Sequence, residues 1–141
     1  MDVTEDFQRM LERQAEVGEV MYGGDPEPWM GLWSEQDPVS LFGAFGPCKT
    51  GRAELDRTFR WVGSRFSNGQ DARFEVLVAE VCGEMAYSVG YETAQLSIDG
   101  SDPQPWKLRV THVYRREDGE WRLVHRHGDI APPDQSPTGP V

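Results

Sequence analysis

Residues Trp106 to Asp129, WKLRVTHVYRREDGEWRLVHRHGD, constrain this chain more than any other stretch. Two runs rich in Val, Leu, Thr, Tyr and Trp flank Glu117-Asp118-Gly119, which is the pattern of a long β-hairpin. The hairpin commits the carboxy-terminal part of the fold to two antiparallel strands. It also brings His112, His125 and His127, the only histidines of the chain, onto neighbouring strands.

The turn decides which side chains share a face. A two-residue loop at Asp118-Gly119 pairs Glu117 with Glu120, and then His112 opposes His125, Val110 opposes His127 and Tyr114 opposes Leu123. A three-residue loop with a bulge moves every side chain of one strand to the other face, so that His112 shares a face with Val124 and Thr111 meets His125. Amphipathicity favours the first register, because it groups Leu108, Val110, Tyr114, Trp121 and Leu123. That register puts Arg109, Thr111, Arg115, Arg122 and Arg126 on the opposite face.

The rest of the chain reads as helices first and strands after. Asp2 with Glu5 has the spacing of a capping box, and Phe7, Met10, Leu11, Val17, Val20 and Met21 form one stripe of a helix over about 3–22. Gly23-Gly24 ends it. Asp25-Pro26 starts a short second helix through Trp29 and Leu32. Asp37-Pro38 then breaks into a strand over about 39–45. Leu55, Phe59, Val62 and Phe66 recur at helical spacing in a third helix over about 51–66, closed by Ser67-Asn68-Gly69. Three strands follow over about 72–81, 85–98 and 107–116, and the last runs from 120 to about 129. This order predicts an α+β domain with helices packed on one face of a curved antiparallel sheet.

With 141 residues the chain has the length of one domain. Residues 1–130 are expected to form it, and 131–141, APPDQSPTGPV, a disordered Pro-rich tail. The formal net charge is −10. Ten acids against Arg9 and Arg13 place −8 of this in residues 1–37. Such a chain repels phosphate backbones, which argues against a nucleic-acid partner. No window is apolar enough for a membrane span and no signal peptide is evident. Cys48 and Cys82 are too few and too far apart for a zinc or redox motif, and a reducing cytoplasm fits them.

Several segments together resemble the SnoaL-like and ketosteroid-isomerase-like families of the nuclear transport factor 2 superfamily. They are Trp33 ahead of the first strand, LFGAFGPCKTGRAEL, VCGEMAYSVGYE and, above all, RVTHVYRREDGEWRLVHRHGD. The likeness covers roughly residues 3–130, and the closing hairpin also resembles the association domain of calcium/calmodulin-dependent protein kinase. The resemblance implies a cone-shaped sheet wrapped on three N-terminal helices, a homodimer formed through the sheet, and a pocket between helices and concave face. It says less about activity, because function belongs to sites rather than folds.

An isomerase of this kind needs a carboxylate base on the first strand. The matching positions are Phe42 and Gly43, neither of which takes a proton, so ketosteroid isomerisation is disfavoured. Where the kinase association domain carries arginines on its closing strands, this chain has His112 and Gly128.

A partly buried histidine can move a proton when a carboxylate orients it, and Asp129 or Glu92 is placed to do so. His112 is therefore the expected acid/base, with His127 and Asp129 as further catalytic candidates and Arg109 polarising a carbonyl or anion. Trp29, Trp33, Phe42, Trp61, Tyr87, Tyr91 and His125 are the expected contacts to a small hydrophobic or polycyclic ligand. Three histidines and Asp129 at strand period also have the composition of a zinc site, but ligand types without geometry are a thin warrant. Neither metal nor cofactor is assigned. The leading expectation is a cofactor-free, cytoplasmic protein whose aromatic pocket binds a small hydrophobic or polycyclic molecule, with isomerisation, cyclisation or dehydration by histidine proton transfer as the chemistry open to it. The competing one is a non-catalytic binding or dimerisation domain, with the histidines serving as structural side chains.

Overall fold

The structure is a computed structural model describing residues 3–133 and Pro137. The expected tail falls largely outside the described residues, as does Asp2. Three helices, α1 (Glu5–Tyr22), α2 (Glu27–Met30) and α3 (Arg52–Arg65), pack on one face of a six-stranded sheet. The strands are β1 (Ser40–Phe42), β2 (Cys48–Thr50), β3 (Phe66–Cys82), β4 (Met85–Ile98), β5 (Gln104–Glu117) and β6 (Glu120–Ile130). Their order across the sheet is β2-β1-β6-β5-β4-β3, and only the β1–β6 pairing is parallel. This is the expected α+β cone: a curved, unclosed, mainly antiparallel sheet around helices. Among the described residues no helix is long and apolar enough to cross a membrane.

Each helix is held by its apolar stripe. Phe7, Met10, Leu11 and Met21 of α1 are buried, with Leu55 and Phe59 of α3, against Tyr114, Trp121 and Leu123 of the sheet. Gln14 is also on the inner face of α1 and is fully enclosed. From the start of α3, Arg52 donates to the carbonyls of Met30, Trp33 and Ser34 and so fixes the loop after α2.

The segment expected to be a single strand over 39–45 is instead a small hairpin, since Gly43 donates to the carbonyl of Pro47 and β2 returns along β1. Strand β3 begins directly after α3, six residues before the expected start. Asn68 and Asp71 adopt positive φ at two register breaks, which lets this kinked stretch join the sheet where a closing turn was expected. Inside the kink, Gly69 lies against the backbone of Tyr22 so closely that a Cβ would come within 2.6 Å of its carbonyl oxygen.

The closing hairpin follows the first expected register from the turn to Tyr114 and Leu123, and beyond that a register that neither expectation gave. Asp118 and Gly119, with φ of 50° and 78°, make a two-residue turn, and Glu117 pairs with Glu120 and Tyr114 with Leu123. A bulge at Val124 then shifts the ladder by one, so that Val113 faces His125 and His112 faces Arg126. The bulge lies between two attachments to β6. Leu32 and Ser34 bond to the backbone of Leu123, and β1 pairs with His125–His127.

Candidate functional site

The bulge sorts the hairpin side chains. His112, Val110 and Tyr114 of β5 point inward, and so do Arg126 and Gly128 of β6 beyond Val124. His125 and His127 point outward. The expected grouping of three histidines and Asp129 on one face therefore does not form. Among the described residues no three His, Cys, Asp or Glu side chains converge in a way that could hold a metal ion.

On the outer face, His125 bonds Ser40 at 2.7 Å and its ring meets Phe42 edge-on at 5.7 Å. His127 meets Phe42 at 5.4 Å and comes to 3.9 Å from Asp129. Arg109 holds Asp129 by two contacts of 2.8 Å, and this pairing lowers the Asp129 pKa. Tyr91 carries Lys107 over its ring. Tyr87 and Trp61 are exposed, the latter stacked near Phe45 and Arg65. Trp33 is fully enclosed in the core against Phe59. Of the seven expected ligand contacts, only Trp29 lines the aromatic cavity under the concave face of the sheet.

That cavity lies between α1, α3, the β1–β2 hairpin and the concave face of the sheet. Its walls are apolar and aromatic, formed by Trp29, Phe45, Phe59, Val62, Phe66 and Trp106, and its polar groups are Tyr22, Thr58, Glu92 and Arg126. Its volume is about 70 Å³.

At one wall the polar groups form a chain. Tyr22 donates to Glu92 Oε1 at 2.6 Å. Arg126 donates to Glu92 from both terminal nitrogens, at 2.6 and 2.8 Å, and from Nη1 also to His112 Nε2 at 2.9 Å. The guanidinium lies 5.2 Å from the centre of the Trp29 ring. Space for it comes from Gly128, where a Cβ would stand 3.2 Å from Arg126 Nη2. Behind it, His112 Nδ1 contacts the Gln14 amide, which reaches Tyr114 and then Ser88.

Charge and burial fix the protonation states. Burial alone would raise the Glu92 pKa, but the charge and hydrogen bonds of Arg126, helped by His112 and Tyr22, outweigh it and bring it to about 2. His112 is lowered to about 3, first by burial and then by the Arg126 charge, with Glu92 opposing only in part. The Tyr22 hydroxyl is raised well above its ordinary value by burial and by Glu92. At neutral pH the cluster is thus an ion pair with a neutral imidazole and a neutral phenol.

The tautomer follows from the partners. Arginine can only donate, so the Nε2 lone pair takes its N–H and the His112 proton sits on Nδ1. The Gln14 carbonyl oxygen must then face Nδ1, leaving the amide N–H to donate to Tyr114, since the two ends of an amide are assigned by their partners.

His112 is fully buried and does not reach the cavity wall. Glu92 and Arg126 stand between it and any ligand. The favoured register put Arg126 on the face opposite His112 because it counted β6 without a bulge at Val124. A signal was present: Leu123-Val124 is a pair of adjacent apolar residues in a strand that otherwise alternates, and both are buried.

A curved sheet over three helices, with an aromatic cavity closed by a buried polar cluster, defines a cone-shaped α+β protein. The chain belongs to the SnoaL-like domain family, whose model matches residues 6–132. None of the curated proteins matches it. Solved structures share the fold at low identity. A candidate calcium/calmodulin-dependent protein kinase type II association domain from Thiobacillus denitrificans is 19% identical, with a TM-score of 0.73 over 94% of this chain and 100% of that one. A candidate dehydratase of the NTF2-like family from Streptomyces avermitilis is 20% identical, with a TM-score of 0.66 over 90% and 94%. An NTF2-like protein of unknown function from Shewanella oneidensis is 15% identical, with a TM-score of 0.67 over 89% and 97%.

Proposed function

We propose that this protein binds a small, largely apolar molecule of one or two rings in the aromatic cavity, with the ligand's polar end against Tyr22, Glu92 and Arg126. The observation that carries this reading is the wall composition: aromatic and aliphatic side chains surround one compact polar cluster whose charges are already paired. Concave apolar sites with a few convergent polar groups are the usual form of a small-molecule site. The small volume of the cavity favours a compact ligand within the expected range of small hydrophobic or polycyclic molecules.

One observation favours a second reading, proton transfer of the isomerase, cyclase or dehydratase type. Glu92 and Tyr22 share a short hydrogen bond at the cavity wall, and a carboxylate so placed can take a proton from a bound ligand. Glu92 is a weak base while Arg126 holds it, so chemistry requires the ligand to loosen that pair. His112, enclosed behind Arg126, would act here as a positioning residue.

Binding is tested with naphthalene and a blocked cavity. Gly18 lines the cavity, and a Cβ built on it meets nothing within 4 Å, so Gly18→Phe fills the space without disturbing the helix. Saturation-transfer NMR should show naphthalene bound to the wild type and lost from Gly18→Phe. Equal transfer to both proteins, or none to the wild type, overturns the proposal.

A further inference from the structure

Resting on the binding reading above, we infer that Gly18 is the size-determining residue of the cavity: the side chain missing there leaves the room for an apolar substituent at the far end of the ligand. Positions 7, 11, 14, 18 and 21 recur at intervals of four and three, which makes them one stripe of α1. Phe7, Leu11, Gln14 and Met21 are all buried along it. Position 18 has the place of a core side chain, and the residue there has none. Gly18 lines the cavity instead.

No feature of the backbone asks for a glycine at this position. Gly69 and Gly90 stand directly against the backbones of Tyr22 and Glu75, and Gly63 would bring a Cβ to 3.1 Å from Pro26. A Cβ on Gly18 meets nothing within 4 Å, and its φ is not positive. Glycine is also the poorest helix former after proline, so placing it one turn before the end of α1 weakens the helix. What distinguishes the position is the space it leaves. In a cavity of about 70 Å³, the absence of one side chain is a large part of the whole.

The helix fixes where this room lies. Glu92 and Arg126 belong to the sheet wall, whereas Gly18 belongs to the helix wall, one turn before Tyr22 on the same face. Four residues of helix place their Cα atoms about 6 Å apart along the axis. A ring whose polar group meets the cluster therefore carries its opposite edge away from it, towards Gly18. The site selects single rings with a short apolar group opposite the polar one.

Phenol and 4-ethylphenol test this, because they share the polar end and differ only in the group opposite it. In NMR titrations of the wild type, 4-ethylphenol should bind about 10-fold more tightly than phenol, as two added carbons are buried. Leucine is a good helix former whose side chain lies back over the preceding turn, away from Tyr22. In Gly18→Leu the advantage of the ethyl group should therefore vanish or reverse, while phenol binds as it does to the wild type. Gly18→Ala, which adds only a methyl group, should melt about 3 °C above the wild type. An ethyl advantage that survives in Gly18→Leu, or a Gly18→Ala protein that melts lower, overturns the assignment and leaves the binding reading intact. If neither phenol binds the wild type, the cavity is not a ligand site and both proposals fall. Should Gly18→Leu fail to fold, the wild type still decides, through nuclear Overhauser contacts between the ethyl protons of the bound ligand and the Gly18 Hα; their absence overturns the assignment.

Discussion

Arg126 and Glu92 face each other on non-adjacent strands, β6 and β4, and meet through paired N–H···O contacts of 2.6 and 2.8 Å in a wall that is otherwise largely apolar. Only 12% and 10% of their side-chain surface is exposed. The pair spans β5, whose Leu108 and Val110 lie between them, and it joins the cavity to the buried His112–Gln14–Tyr114 chain. Taking both charges out of water is costly, and their attraction offsets that cost only while the two remain together.

Breaking the pair should therefore cost more than removing it. Glu92→Gln alone, or Arg126→Met alone, leaves one buried charge without its partner and should lower stability by about 3–5 kcal/mol. The double variant Glu92→Gln, Arg126→Met leaves no buried charge and should lose less than the two single losses added together. Urea unfolding of all four proteins checks this. Simple additivity would show that the pair is not coupled in the way its geometry implies.

The same cluster sets the response to acid. Glu92 has its pKa depressed from 4.5 to about 2, so its stabilising contribution is complete above about pH 4.5 and is lost as the pH falls through 2. His112 is depressed from 6.5 to about 3. The unfolded chain takes up that proton below pH 6.5 and the folded one does not, so stability again falls with pH. The first part of the loss, between pH 6.5 and 4.5, belongs chiefly to His112, for which it should amount to about 2 kcal/mol; His125, lowered by its partial burial, adds to it. In His112→Asn the unfolding midpoint should fall much less across that window, with the acid limb below it retained. A wild-type midpoint that is already flat from pH 6.5 to 4.5 would contradict the buried, neutral imidazole.

Sequence reasoning reached the fold because long signals carry it. The apolar stripes of α1 and α3, the Asp118-Gly119 turn and the alternation along β4 and β5 each repeat over many residues, so one misplaced residue does not disturb them. The site was less legible because it depends on parity in one short strand. One extra residue, Val124, exchanges the faces of everything from His125 to Ile130. That places Arg126 against His112 and sends His125 and His127 outward. Trp106 and Tyr22 were hidden for a different reason. They share a core cluster with Phe66, where β3 enters the sheet ahead of its kink at Asn68 and Asp71, and positive φ at Asn or Asp is not readable from apolar periodicity.

That parity is tested by taking one residue out of β6 and by putting one in. Deleting Val124 removes the bulge residue and places His125 directly after Leu123, so a regular ladder runs from Tyr114 with Leu123 to Val113 with His125 and His112 with Arg126, the pairs already present. Arg126 stays against Glu92, and the loss is limited to the buried Val124 side chain, about 1–3 kcal/mol. Inserting one alanine after Val124 does the opposite: with the bulge still holding a single residue, every side chain from His125 onward changes face. Glu92 would then be buried without its cation, at a cost of about 3–5 kcal/mol. His125 and His127 would enter the apolar face, which supplies them no partners, at about 1–3 kcal/mol each. Their sum rivals the roughly 5–15 kcal/mol that holds a domain of this size together. The insertion should therefore yield a protein without a cooperative thermal transition, whereas the deletion should keep one. Circular dichroism melts of the two variants distinguish the outcomes. An insertion variant that melts near the wild type would mean that the Arg126–His112 contact does not depend on the parity of β6.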